Sequence, residues 1–335
     1  MSINRPPFSS GFTLVEVMVA LTLGLVLTSG AIYLFIGHKQ TYAMSQAIAR
    51  IQETGRYATD LIGRDLRMAG HLGCARPGDV NLKALPQETG QEDEDYLYVS
   101  EAVHMPDTSE DRIHIRFASS HSVALESDMA NESDDLVLLE EDEPDLAPGD
   151  LALITDCTGI ADIFSVTGVS DDGTIVEHQS MNGDGNQVNG DSGRLSKRYK
   201  TGSTEVMRFV NHEYEVADTD RSTPAGDVIR ALSRDSEELL PGVEQMKLEF
   251  GERVNNGEST SYRDWDSVED PGCVASVRVG FLIASDERVL DQPDGRGFDV
   301  AGTAVDPIAD ARLRQVFTST VRLRNRQGSL EDCPK

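Results

Sequence analysis

The sequence predicts an α+β protein, in which a long N-terminal helix packs on a mainly antiparallel β-sheet head that carries extra β-rich insertions. Residues 12–36 are an apolar run interrupted by one charged side chain, Glu16. Apolar residues then recur at steps of three and four up to residue 69, which is the spacing of one helix face. Beyond residue 78, short alternating stretches lie between turn residues, as in antiparallel strands.

The apolar run is long enough to span a membrane. As a helix, residues 12–36 measure about 37 Å, against a bilayer core of ~30 Å. The run exceeds the roughly 7–15 apolar residues of a secretory signal peptide, and no Ala-x-Ala cleavage pattern follows it. The remaining chain is too polar for a second span. We therefore expect one membrane-spanning segment followed by one head.

The helix is predicted to continue through residues 37–70 as an amphipathic half. No Pro falls between residues 12 and 75, and charged side chains alternate with the apolar stripe. A helix from about residue 12 to residue 69 would be roughly 87 Å long. Three glycines and one proline in residues 70–78 predict where it ends.

Residues 71–335 are predicted to form the β-rich head. Turn residues such as Pro148-Gly149-Asp150 separate the stretches that have strand patterning. The ten predicted strands are Leu97–Val99, Arg112–Phe117, Asp135–Leu139, Leu151–Ile154, Ile163–Val169, Thr174–His178, Glu205–Val210, Val243–Phe250, Val274–Ala284 and Gln315–Leu323.

The composition argues against several functions. Lys and Arg total 30 and Asp and Glu total 58, which gives a formal net charge of −28. Direct binding of nucleic acid is therefore not expected, because phosphate backbones are bound by clustered Lys and Arg. The sequence contains no Walker loop and no recognisable set of catalytic residues, so we expect a non-enzymatic protein without a cofactor.

The N-terminal junction resembles the processing site of type IV prepilins and pseudopilins. Gly11, Phe12 and Glu16 stand at the spacing of that motif, at the start of an otherwise uncharged span. The resemblance implies that residues 1–11 are a leader peptide, which a membrane peptidase removes by cutting after Gly11. It also implies that Phe12 is then N-methylated, and that Glu16 becomes the fifth residue of the mature chain.

Glu16 has a physical reason to lie at this position. A carboxylate in an apolar helix costs about 2–3 kcal/mol near the membrane centre and less toward an end. The new α-amino group of Phe12 is a second charge held in lipid. Pairing the Glu16 carboxylate of one subunit with the amine of another satisfies both charges and sets the register of packed helices. The alternative is an interfacial Glu that reaches water.

Downstream blocks resemble the PilW family of minor pilins. The resemblance is weak in residues 86–145 and 180–194, where we expect lineage-specific loops. The blocks that carry it are GDLALITDC (149–157), ADIFSVT (161–167), LPGVEQMKLEFG (240–251), CVASVRVGFLIAS (273–285) and RLRQVFTSTVRLRNR (312–326).

This family resemblance implies a type IV pilin-like fold and a function in pilus assembly. The protein would prime assembly within a minor-pilin tip complex and so support twitching motility or adhesion. The implied partners are other minor pilins, the major pilin, the prepilin peptidase, the inner-membrane assembly machinery and a large tip adhesin. The implied location is the inner membrane, with a periplasmic head that later joins the extracellular pilus. A J-type minor pseudopilin of type II secretion and a tip adhesin module remain as alternatives.

The four cysteines predict two disulfides. Cys74, Cys157, Cys273 and Cys333 include no CxxC pair, and their spacings do not suit zinc. An even count outside the cytoplasm favours two bridges, for which three pairings exist. We predict Cys74–Cys157, which ties the helix exit to the sheet, and Cys273–Cys333, which holds the tail. Buried free thiols are the alternative.

One polar loop has residue types that can bind a metal. Its potential calcium ligands are Asn182, Asp184, Asn186 and Asp191. The loop lacks the closing Glu of an EF-hand, so the sequence favours a solvated turn and no metal. The Gly-Asp-Ser-Gly sequence at 190–193 also occurs in serine proteases, but no accompanying histidine block is present. The acidic run at 140–145 is interpreted as a solvated loop.

Overall fold

The structure is a computed structural model that describes residues 13–75, 80–81, 102–105, 111–139, 145–181, 189–190, 193–254, 258–325 and 333. Within this part of the chain, one long helix is followed by a head built of β-strands, most of them paired antiparallel. The predicted α+β class is therefore confirmed. The predicted strand Leu97–Val99 lies outside the described residues.

Helix α1 spans Leu14–Met68, 55 residues or about 82 Å of continuous helix. Its start is fixed by the N-cap Thr13, and Arg67 lies in its last turn, where a cation interacts favourably with the helix dipole. Gly70 follows at a positive φ of 73°, a backbone conformation that glycine adopts without strain. The sequence prediction of a helix from about residue 12 to residue 69 agrees closely with these bounds.

The strands of the head are numbered β1 to β17 in chain order. Their bounds are β1 Val80–Asn81, β2 Val103–His104, β3 Arg112–Ala124, β4 Leu136–Val137, β5 Leu151–Thr155, β6 Ala161–Ser165, β7 Gly168–Val169, β8 Ile175–Glu177, β9 Glu205–Ser222, β10 Val228–Arg234, β11 Glu237–Pro241, β12 Val243–Val254, β13 Ser259–Arg263, β14 Val274–Arg288, β15 Phe298–Val300, β16 Thr303–Val305 and β17 Arg312–Arg322.

Strand β9 organises the larger sheet. One of its edges pairs with β3, and its other edge pairs first with β5 and then with β10. Among the described strands this sheet runs β1-β6-β5-β9-β10-β11, with β2 added beyond β3. Its pairs are antiparallel except β1 with β6.

A second, fully antiparallel sheet runs β13-β12-β14-β17. Helix α1 packs on its β14 and β17 strands, so the helix, this sheet and strands β3 and β9 enclose the main core. Buried members of that core include Ile62 and Leu66 from the helix and Val279 and Phe281 from β14. A smaller core lies between β5, β6 and the short strands β4 and β8.

The helix and strand β17 approach each other closely at Gly55. A Cβ atom at this position would lie 2.4 Å from the ring of Phe317, too close for any other residue without movement. Farther along, a Cβ at Gly63 would lie 3.6 Å from Val321. Strand β17 therefore runs close beside the second half of the helix.

Candidate assembly site

The first half of α1 has no cover within the described chain. Every residue from Thr13 to Tyr42 is exposed, including large apolar side chains such as Leu14 and Phe35, which are 78% and 69% exposed. The most apolar window of the helix has a mean hydropathy of 2.1 and no buried residue. This surface needs an apolar environment, which can be lipid, neighbouring helices or both.

Hydroxyl groups in this half are compatible with an apolar environment. Thr28 Oγ1 donates to the Gly24 carbonyl at 2.7 Å, and Ser29 Oγ donates to the Leu25 carbonyl at 2.7 Å. Thr22 makes the same kind of bond to Val19. Because each of these three hydroxyls has a partner within its own helix, none of the three is left unpaired when water is excluded.

The amino end of α1 is closed by a capping box formed by Thr13 and Glu16. The Glu16 backbone N–H donates to Thr13 Oγ1 at 3.2 Å. In return, Glu16 Oε2 accepts hydrogen bonds from the Thr13 backbone N–H and from Thr13 Oγ1, both at 3.3 Å. The second carboxylate oxygen, Oε1, accepts no hydrogen bond from a described residue. Gly11 and Phe12, the predicted cleavage and methylation residues, lie outside the described residues.

The second half of α1 is held on the head by apolar packing and by one buried polar contact. Asp65 lies on the buried face of the helix and is 7% exposed. It accepts a 2.6 Å hydrogen bond from the hydroxyl of Tyr214 on β9, and Arg234 on β10 lies 3.8 Å away. Burial and the adjacent Asp65 hydrogen bond raise the pKa of Tyr214 far above its usual range, so its hydroxyl stays protonated and remains a donor.

Substituting Tyr214→Phe is expected to lower the free energy of unfolding by about 1–3 kcal/mol, because the buried Asp65 carboxylate then loses its donor. Denaturant unfolding of the detergent-solubilised chain measures this change. Tyr262→Phe is the matched control, since the Tyr262 hydroxyl shares a 3.2 Å hydrogen bond with the neutral Ser276 hydroxyl. We expect an effect under about 1 kcal/mol there. Equal effects at the two sites would contradict an anchoring contribution from Asp65.

Two disulfides fasten the head. Cys74 and Cys157 are joined with their Cα atoms 5.2 Å apart, and Cys273 and Cys333 are joined with Cα atoms 5.6 Å apart. The first bond connects the chain just after α1 to the end of β5, and the second connects the start of β14 to residue 333. This is the pairing expected from the sequence.

The other sequence candidates do not form a site among the described residues. The potential calcium ligands Asn182, Asp184, Asn186 and Asp191 lie outside them, as does most of the acidic run at 140–145. Of the serine-protease-like sequence, only Gly190 and Gly193 are described. Within the described ranges, no group of three or more His, Cys, Asp or Glu side chains is placed to hold a metal ion.

Two contacts at this site, the capping box at the start of α1 and the hydrogen bond between Asp65 and Tyr214, were not predicted from the sequence. Thr13, Leu14, Val15 and Glu16 follow the Ser/Thr-x-x-Glu pattern of a capping box before an apolar run, so the cap was detectable. Asp65 carries no comparable signal, because one carboxylate on an amphipathic helix is usually solvated. Its importance depends on Tyr214, which is 149 residues away in sequence.

The fold and the site define a class of protein. A helix with one exposed apolar half and one half packed on an antiparallel sheet is the architecture of a pilin-like, membrane-anchored subunit. The family described as Type IV Pilus-assembly protein W matches residues 203–325, and the prokaryotic N-terminal methylation motif matches residues 8–32. These two matches, to the N-terminal segment and to the second half of the head, are the ones that a PilW-family pilin with a prepilin-type N-terminus would give. Comparison with curated proteins and with solved structures gives no match.

Proposed function

We propose that this protein is a minor pilin that primes assembly of the type IV pilus as part of a tip complex of minor pilins. The observation that carries the proposal is the apolar half of α1, which no other described residue covers, which begins with an acidic cap and which continues into a half packed on a large head. The PilW and methylation-motif matches support a structural pilus component of this general kind. The finer role, in a tip complex and in twitching motility or adhesion, is our inference.

The proposed sequence of events follows from the chain. Residues 1–11 are removed after Gly11, and residues 12–36 remain in the inner membrane while residues 71–335 face the periplasm. Assembly then transfers the apolar half of α1 from lipid to the filament core, where other pilin helices replace the lipid contacts. A head of this size favours a position at or near the tip, where it does not have to repeat along a thin filament.

The test is deletion of the gene, followed by counting of surface pili and measurement of twitching. We expect few or no surface pili, with the major pilin still present in the inner membrane, because priming fails while synthesis continues. Restoring the wild-type gene should restore the pili. Normal pilus numbers in the deletion strain would contradict the priming function.

The same deletion strain separates the pilus from a secretion system. A J-type pseudopilin would leave pili intact and abolish secretion of type II substrates into the medium. We expect secretion to be unchanged. A strain that has normal pili but lacks secreted enzymes would therefore replace our proposal with the pseudopilin function.

A further inference from the structure

Although the chain is strongly acidic, the described arginines that have neither an ion pair nor a hydrogen bond lie on one surface. Among the described residues, five arginines have neither an ion pair nor a hydrogen bond, and every other described arginine has at least one. All five are exposed and lie on the second half of α1 or at the end of β17. We call this surface the arginine face, and its members are Arg56, Arg64, Arg67, Arg322 and Arg324.

A cleft lies at one end of the arginine face. Arg67 in the last turn of α1, Arg322 at the end of β17 and the following Arg324 line a cavity of about 470 Å³. Ser319 and Thr320 also line it and add hydroxyl groups that can donate hydrogen bonds. Arg56 and Arg64 extend the basic surface back along the outer side of the helix. Asp60 lies between them, but no ion pair joins it to either arginine among the described residues.

We infer that the arginine face is the docking surface for a carboxylate-rich segment on the head of a neighbouring pilin. Guanidinium groups present planar pairs of N–H donors that match carboxylates bidentately. In a chain of net charge −28, leaving several such groups without a partner on one surface is consistent with a partner supplied by another subunit. This inference rests on the proposed function, which brings pilin helices side by side and so turns the outer side of α1 toward a neighbour.

Position and charge argue against other anionic partners. From Ile36 to Arg67 the helix rises about 46 Å, whereas surface charges are screened within ~8 Å at physiological ionic strength. Lipid headgroups at the membrane surface are therefore out of reach. Nucleic acid is disfavoured because the net charge of −28 repels phosphate backbones. An acidic protein segment that binds in the cleft is not limited by the distance to the membrane surface, and it contacts the arginines at short range.

The test uses a triple charge reversal, Arg67→Glu, Arg322→Glu and Arg324→Glu, in the full-length chain. The host's other minor pilins, each tagged, are co-expressed with it, and recovery from detergent-solubilised membranes is measured. We expect at least about a tenfold loss of one tagged pilin, which corresponds to ~1.4 kcal/mol, and a comparable loss for the wild-type protein at high salt. Unchanged recovery at low salt would overturn the inference.

A matched control carries the same charge change elsewhere on the head. Arg194→Glu, Arg221→Glu and Arg296→Glu replace arginines whose side chains are 60%, 53% and 72% exposed. We expect this variant to recover the tagged pilin normally, because exposed pairs contribute little. Equal losses in the two variants would mean that overall charge decides the association, and would overturn the docking surface.

The identity of the occupant is read by photo-crosslinking. A benzoyl-phenylalanine at position 320, inside the cleft, is expected to crosslink to a segment rich in Asp and Glu on a co-expressed pilin. Crosslinking to a basic or apolar segment would overturn the inference. Binding of labelled duplex DNA to the wild-type protein would also overturn it, if the triple charge reversal abolishes that binding. Normal pili in the deletion strain would contradict the priming function. If the deletion strain instead loses its pili, but the triple charge reversal recovers the tagged pilin normally, only the docking surface is contradicted.

Discussion

Substituting Glu16→Ala is expected to leave membrane insertion intact and to reduce recovery of other pilins with this chain by at least about tenfold, or ~1.4 kcal/mol. Insertion should not suffer, because removing a carboxylate from an apolar helix removes a cost of about 2–3 kcal/mol or less near a helix end. Association should suffer, because the proposed pairing of Glu16 with the Phe12 amine of a neighbour is then lost. The measurement is co-purification from solubilised membranes, with N-terminal sequencing to verify processing.

Variants of the capping box separate the effect of the Glu16 charge from the effect of the cap. In the structure, the cap uses Glu16 Oε2, and no described residue donates to Oε1, which we propose as the acceptor for a neighbouring amine. Glu16→Gln keeps a side-chain oxygen for the cap but removes the charge, whereas Thr13→Val removes the hydroxyl of the cap and keeps the charge. If the charge pair drives association, Glu16→Gln should behave like Glu16→Ala, and Thr13→Val should stay close to wild type. The reverse order would assign the effect to the cap and contradict the charge-pair mechanism.

The helix was the most predictable element of the fold. Its apolar stripe and the glycine-rich exit placed its ends within two residues of Leu14–Met68. The contact of the helix with the head was less predictable than its ends. Ile48 matches the apolar stripe but is 38% exposed, whereas Ala47 and Ile51 on either side of it in sequence are buried. Periodicity shows which side of a helix is apolar, while burial depends on which part of that side the sheet covers.

The strands were predicted where alternation is strong and missed where a turn lacks its usual residues. Strands β10 and β11 form a hairpin whose two-residue loop is Asp235-Ser236, with φ values of 53° and 66°. Such turns usually contain Gly or Asn, so the residues here do not predict a hairpin. The Asp235 carboxylate stabilises the turn by accepting hydrogen bonds from the Glu213 backbone N–H and from His212. These partners lie on β9, and local sequence does not contain that information.

The predicted strand Ile163–Val169 was only partly right. The chain forms β6 and β7 with a break at Val166-Thr167, because the Val166 and Thr167 backbone N–H groups bond to Asp150 and Glu177 instead of continuing one ladder. A sequence shows that this stretch is apolar and extended. It does not show that its two ends belong to different sheets.

Removing the disulfide between Cys74 and Cys157 is expected to produce the largest loss of stability. Their sequence separation is 83 residues, and the chain-entropy estimate for a loop of this length is about 4.5 kcal/mol. In the Cys74→Ser, Cys157→Ser variant the denaturant midpoint should fall, and the slope m should rise, because the unfolded chain loses a cross-link and exposes more surface. An unfolding free energy equal to that of the wild type would contradict this expectation, as would four free thiols by alkylation and mass measurement of native material.

The second disulfide supplies an internal control, because the two bonds differ in exposure. Cys74 and Cys157 are exposed, whereas Cys273 and Cys333 are 2% and 4% exposed. A mild reductant should therefore open the Cys74–Cys157 bond first in the native protein, and the partly reduced protein should match the double variant in stability. Since the buried bond closes a similar separation of 60 residues, removing it should destabilise the head by a comparable amount. Simultaneous reduction of both bonds under native conditions would mean that the start of β14 opens as readily as the surface, contrary to its place beside the main core.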